Sequence, residues 1–218
     1  MTFRFANIAG RSALIDPSDG WHDLGGVSGG EVSSDPMTAL RNSEALHRFS
    51  AVLNPNAANG TLATAKVLAP VPSPRNSLAI GLNYKAHAAE SSMELPEYPL
   101  TFTKFPSCIV GPNADIELRS EHGDYEVELV VVIGRKVRDV PTESAWDYVL
   151  GLTVGQDISD RKLQFAAKPP HFDLGKSRDT YGPMGPVLVS TDSFPDPDNV
   201  TLTCTVNGEQ RRMTPSLS

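Results

Sequence analysis

The chain has 218 residues with 39% apolar and 21% charged side chains, enough for one large domain or two small ones and too apolar for global disorder. Its formal net charge of -7 and pI of about 5.2 argue against a nucleic-acid or anionic-membrane surface. The start, Met1-Thr-Phe-Arg-Phe, lacks a signal-peptide core, no apolar run approaches membrane-spanning length, and Cys108 and Cys204 have no metal or redox spacing. A soluble protein of a reducing, cytoplasmic compartment is therefore expected, with a disulfide unsupported.

Phe3 to Asp16, broken by Gly10, predicts a small β-hairpin or meander. Gly25, Gly26, Gly29 and Gly30 form a loop without the Gly-Lys-Ser/Thr of a phosphate loop. Asp35-Pro36 predicts a helix start, and Met37, Leu40, Leu46, Phe49 and Leu53 supply its apolar face. The proline-punctuated stretch from Ala69 to Arg75 suggests a boundary, giving a unit over 1–70 and another over 71–218.

Ser77 to Leu82 predicts a strand. Lys85 to Glu94 has helix composition, with His87 and Glu90 three apart on one face. Leu100 to Lys104 predicts extended chain, and Ile109 to Leu118 carries a Gly-Pro-Asn turn. Asp124 to Ile133 is acidic at its start and ends in the apolar run Leu129 to Ile133, which predicts a strand buried on both faces. A short helix over Ser144 to Val149, strands over Leu152 to Ile158 and Gly185 to Val189, and the hairpin signal Asn207-Gly208 follow. The tail after Thr214 has no strand pattern, so the return of that hairpin is expected to be half-made.

On an extended chain Glu126 and Glu128 point to one face. Two carboxylates so placed resist ionising together unless a cation intervenes. With Asp157, near the end of another strand, they make an oxygen set suited to Mg2+ or Mn2+. Pairing with Lys or Arg, or a solvated face, remains the alternative. His87 and Glu90 could be a base and its orienting partner or an exposed pair. Lys104, Arg161 and Lys176 could meet an anionic substrate, or be ordinary surface charges.

Five stretches in order resemble the fumarylacetoacetate hydrolase family. These are Ile80-Gly-Leu-Asn-Tyr-Lys-Ala-His-Ala-Ala-Glu90, Phe102-Thr-Lys-Phe-Pro-Ser107, Asp124 to Arg135, Gly151 to Gln164, and Gly175-Lys-Ser177 with Gly182-Pro-Met-Gly-Pro186. The resemblance implies an α+β, mainly β fold: a mixed β-roll with a small N-terminal accessory β domain, usually a homodimer. It implies Glu126, Glu128 and Asp157 as metal ligands, His87, Glu90 and Lys176 as catalytic, and Lys104, Arg161 and Gln164 as substrate-binding.

The implied function is a Mg2+- or Mn2+-dependent hydrolase cleaving C–C bonds in diketo acids. The alternatives are a decarboxylase, isomerase or hydratase of 2-oxo acids from aromatic catabolism. Family members continue past Asn207-Gly208 with further strands and a Gly-Thr-Pro segment. Their absence here leads to the expectation of a C-terminally truncated chain, and to a further alternative, an inactive metal-binding fragment. A non-enzymatic acidic-site binding domain is the remaining one.

Overall fold

The computed structural model describes residues 2–81, 83, 97–197 and 199–215. Strands β1 (Arg4–Ile8), β2 (Arg11–Ile15) and β3 (Gly20–Asp23) form the expected meander. Ala9 and Gly10 both take positive φ, 51° and 90°, the conformation a two-residue hairpin turn needs to match strand twist. The next turn is fixed by Asp16, whose side chain accepts from Ser18 N, Gly20 N and His22 Nε2.

The helix expected from Asp35 onward is two pieces, Pro36–Ala39 and Ser43–Ser50. Asp35 caps the first through Thr38 N, and Asn42 caps the second through Ala45 N. A second capping residue seven positions on restarts the helix. After β4 (Gly60–Thr61) and β5 (Val67–Leu68) come β6 (Leu78–Gly81) and β7 (Leu100–Thr103), which pair with each other.

The chain then forms β8 (Ile109–Val110), β9 (Gly123–Asp124), β10 (Val127–Ile133), β11 (Val149–Gln156), β12 (Ser159–Asp160), β13 (Gly182–Pro183) and β14 (Leu188–Ser190). The Gly-Pro-Asn turn expected between Ile109 and Leu118 follows β8, with Ala114 N–H donating to the Gly111 carbonyl at 3.2 Å. The piece expected as a helix at Ser144 to Val149 is a 3-10 segment, Thr142–Tyr148.

An eight-stranded sheet runs β10-β11-β14-β1-β2-β3-β4, with β5 also on β1. Sheet and core therefore cross the proline-punctuated stretch: Phe3, Phe5, Leu14, Leu24 and Leu46 pack with Val71, Leu150 and Leu188 in one cluster. Gly151 permits the β11–β14 contact, because a Cβ there would lie 2.4 Å from the Val189 carbonyl oxygen.

β10 is at the end of this sheet, and the expectation of burial on both faces is corrected. Val127 is buried, but Val131 is 42% and Ile133 56% exposed. Val127 and Leu129 are covered by Leu202, Cys204 and Val206 of the hairpin β15 (Thr201–Val206) and β16 (Glu209–Pro215), which stops short of the rest of β10. That hairpin is complete, against expectation: Thr201 pairs with Pro215 across the turn at Asn207 and Gly208. The signal at Asn207-Gly208 outweighs the weak strand pattern that follows it. Cys108 and Cys204 are free and buried in separate clusters.

Candidate functional site

β10 and β11 are antiparallel neighbours, with Val127 opposite Gln156 and Glu128 opposite Gly155. Val127 and Leu129 face the β15–β16 hairpin, so alternation sends Glu126 and Glu128 to the other face. Asp157 follows directly on β11, and its N–H donates to the Glu126 carbonyl at 2.8 Å. The sheet thus brings the three predicted acids to one corner. β9 and β12 extend that corner, pairing Asp124 with Ser159.

The cations arrive from elsewhere in the chain. Lys176 ends the helix Phe172–Lys176, whose Gly175 lies against Gln164: a Cβ there would sit 2.8 Å from Gln164 N. This close approach puts Lys176 Nζ 2.7 Å from Glu126 Oε2, 2.8 Å from Asp157 Oδ2 and 2.7 Å from Ser159 Oγ. Ser159 Oγ donates in turn to the Asp157 carbonyl at 3.0 Å. Lys104, just after β7, donates to Asp157 Oδ1 at 2.6 Å, to the Tyr181 carbonyl at 3.0 Å and to the Lys176 carbonyl.

Arg161 opens the helical turn Arg161–Gln164, which Asp160 caps through Leu163 N. Its Nε and Nη2 both reach Asp124 Oδ2, at 2.8 and 2.7 Å. Nη2 also reaches Glu126 Oε1 at 2.5 Å, and Nη1 reaches Gln164 Oε1 at 3.0 Å.

An ammonium has three N–H donors and a guanidinium five. All three of Lys104 and all three of Lys176 are committed, whereas one Nη1 N–H of Arg161 has no acceptor among the described residues. Lys104, Gln164 and Lys176 are buried, so the Lys and Arg pairing of the acids that the sequence left open is present here. Burial alone would push the Glu126 carboxyl up. Lys176 first, then Arg161, outweigh it and hold Glu126 at about 2. Burial opposes the Arg161 cation, and Glu126 and Asp124 more than restore it, so its pKa is raised.

His87 and Glu90 lie outside the described residues. The sequence reading missed Asp124 and Ser159. Both could have been found from the two-residue period, since Asp124 precedes Glu126 by two and Ser159 follows Asp157 by two.

The chemistry of Glu126, Glu128 and Asp157 fits a hard divalent cation: all oxygens, no soft donor. Two of these carboxylates already converge on one point, the Lys176 ammonium. As the side chains stand, no group of three or more His, Cys, Asp or Glu among the described residues is arranged to hold an ion.

The profile of the fumarylacetoacetate (FAA) hydrolase C-terminal family matches residues 76–217. The mitochondrial oxaloacetate tautomerase fahd2 of Xenopus laevis is 41% identical over 145 residues, 66% of this chain and 46% of that protein. The chain spans about half the length of the curated relatives it matches. A crystal structure of a Mycobacterium smegmatis protein provisionally named HpcE superposes with a TM-score of 0.89 at 39% identity, covering 97% of this chain and 75% of that one. Maleylpyruvate hydrolase from Sphingobium sp. SYK-6, solved with manganese(II) and pyruvate, gives 0.79 at 25% identity, covering 97% and 76%.

Proposed function

Because the chain belongs to the fumarylacetoacetate hydrolase family, we propose that it is a divalent-metal-dependent enzyme that enolises 2-oxo or diketo acids, with keto–enol tautomerisation of oxaloacetate as its reaction. The observation that carries this reading is the convergence of Glu126 and Asp157 on one cation beside Arg161.

Glu126, Glu128 and Asp157 would hold Mg2+ or Mn2+, which supplies Lewis-acid neutralisation of the negative charge that builds on an oxo oxygen. Arg161 keeps one N–H free for a substrate carboxylate while Asp124 and Glu126 fix its plane. Lys176 keeps positive charge beside the acids and limits their mutual repulsion. Lys104 anchors Asp157 and the Lys176 main chain rather than presenting a donor outward. A fixed array of charges where an enolate develops needs little reorganisation during the reaction.

Tautomerisation leads because the fahd2 relative, named an oxaloacetate tautomerase, is 41% identical, against 25% for the maleylpyruvate hydrolase structure. Hydrolysis of a diketo acid C–C bond is the second reading. It shares the enolate and adds an activated water, for which the sequence offers His87 and Glu90.

The deciding experiment supplies oxaloacetate enol, followed by its ultraviolet absorbance, and acetylpyruvate, followed by pyruvate release, to the Mg2+- or Mn2+-supplemented protein. Loss of enol absorbance faster than the buffer rate, without pyruvate release from acetylpyruvate, supports the tautomerase. Pyruvate release supports the hydrolase. Neither, with metal present, sinks both.

A further inference from the structure

One group of side chains at this corner is not used by the chemistry above. Phe102 on β7 lies against Lys176, with the Nζ 5.3 Å from the ring centroid. Phe172 stands one helical turn before Lys176, on the same helix face. Its ring meets Phe102 edge-to-face at 5.5 Å and 68°. Phe165, directly after Gln164, meets Phe172 at 5.9 Å and 75°.

The three rings therefore make a run that starts on a buried ammonium and ends at Phe165, which is 55% exposed. Its two supports are fixed to each other: Asp173 Oδ1 accepts from Thr103 N at 2.6 Å, clamping the Phe172–Lys176 helix to β7. The outermost ring is only partly covered by this packing. Here a phenyl group stands in water at the open end, one residue from a glutamine that binds Arg161. Aromatic rings arranged edge-to-face offer flat partners a favourable geometry as well as area.

We infer that Phe102, Phe172 and Phe165 form the wall that receives the tail of the substrate, and that they select 2-oxo acids whose tail is an apolar aryl group. The acid end would meet Arg161, and the tail would lie along the rings toward the surface. This inference rests on the 2-oxo-acid reading given above, and it adds which member of that class binds best. Oxaloacetate, with a short charged tail, would gain nothing from the wall.

The test is calorimetric titration of pyruvate and of phenylpyruvate into the Mn2+-supplemented full chain. Wild type is expected to bind phenylpyruvate about tenfold more tightly than pyruvate, the size of effect one aromatic contact provides. Phe172→Ala and Phe165→Ala are each expected to lower that affinity ratio at least about threefold. Phe165 is the exposed member, so its variant decides the matter where Phe172→Ala fails to fold. Equal affinities in wild type, an unchanged ratio in Phe165→Ala, or no binding of either acid overturns the inference. Oxaloacetate turnover by the same wild-type sample reports separately on the underlying reading. Turnover without a preference removes the wall alone, and a preference without turnover removes the reaction assignment alone.

Discussion

Lys176 shows how much of the site depends on single side chains. Its ammonium is the shared partner of Glu126 and Asp157, and its side chain is only 3% exposed. Lys176→Met leaves two buried carboxylates short of a cation. It is expected to destabilise the fold by about 3–5 kcal/mol, read from urea unfolding, because breaking a buried pair costs more than the pair contributes. Ser159→Ala removes the third Lys176 acceptor and is expected to cost about 1–3 kcal/mol, with Ser159→Thr recovering part of it.

Glu126 makes the site pH-sensitive. Its carboxyl ionises at about 2 in the folded chain against 4.5 when free. Its stabilising contribution is therefore complete above about pH 4.5 and drains away as pH falls through about 2. The stability gap between wild type and Glu126→Gln, measured by urea midpoints, is expected to narrow as pH is lowered through that window. A gap that stays constant would mean the Lys176 and Arg161 contacts do not bias this carboxyl.

Among the elements, those whose signal is local were legible in the sequence. The β1–β2 and β15–β16 turns carry Gly10 and Asn207-Gly208 at positive φ, and these residues announce the turns, although not the full length of β16. The two-residue period likewise placed Glu126 and Glu128 on one face. The break at Leu40 to Asn42 was missed because the apolar spacing runs on across it, and only the Asn42 cap marks the restart. Asn42→Ala is expected to cost about 1 kcal/mol, seen as a lowered urea midpoint without loss of the sheet.

The exposure of β10 could not be read at all. An apolar run says that a strand can be covered on both faces, while which strands lie beside it is set by residues far away. At this corner Glu126, Glu128 and Asp157 could be singled out from the sequence, while Asp124 was missed and the pairing of the acids with particular cations could not be read. Lys104 and Asp157 are 53 positions apart and Lys176 and Glu126 are 50, separations that no spacing rule joins.

For the whole molecule, the acids and cations of this corner link ligand binding to global stability. A divalent ion that binds only the folded chain must raise its unfolding temperature. Mn2+ at about one hundred times its dissociation constant is expected to contribute about 2.7 kcal/mol, or about 5–10 °C for a chain of this size. Thermal unfolding with and without Mn2+, repeated on Glu126→Gln, checks this. No shift in wild type would remove Glu126, Glu128 and Asp157 as a metal set.

The position of β14 has a consequence for how the chain is made. β14 is hydrogen-bonded between β1 and β11, and Phe3 N donates to Ser190 Oγ across 187 positions. During synthesis the β1–β2–β3 meander can form as soon as it emerges, since its contacts are local. The stretch of β1 at Arg4 and Phe5 then waits for Leu188 and Val189, its partners from far downstream in the chain. Until they arrive, the nascent protein carries an unpaired strand beside an apolar surface, open to pairing with a neighbouring nascent chain. Closing the sheet is thus a long-range event, and slow translation of the residues before Leu188 would prolong the exposure of that unpaired edge.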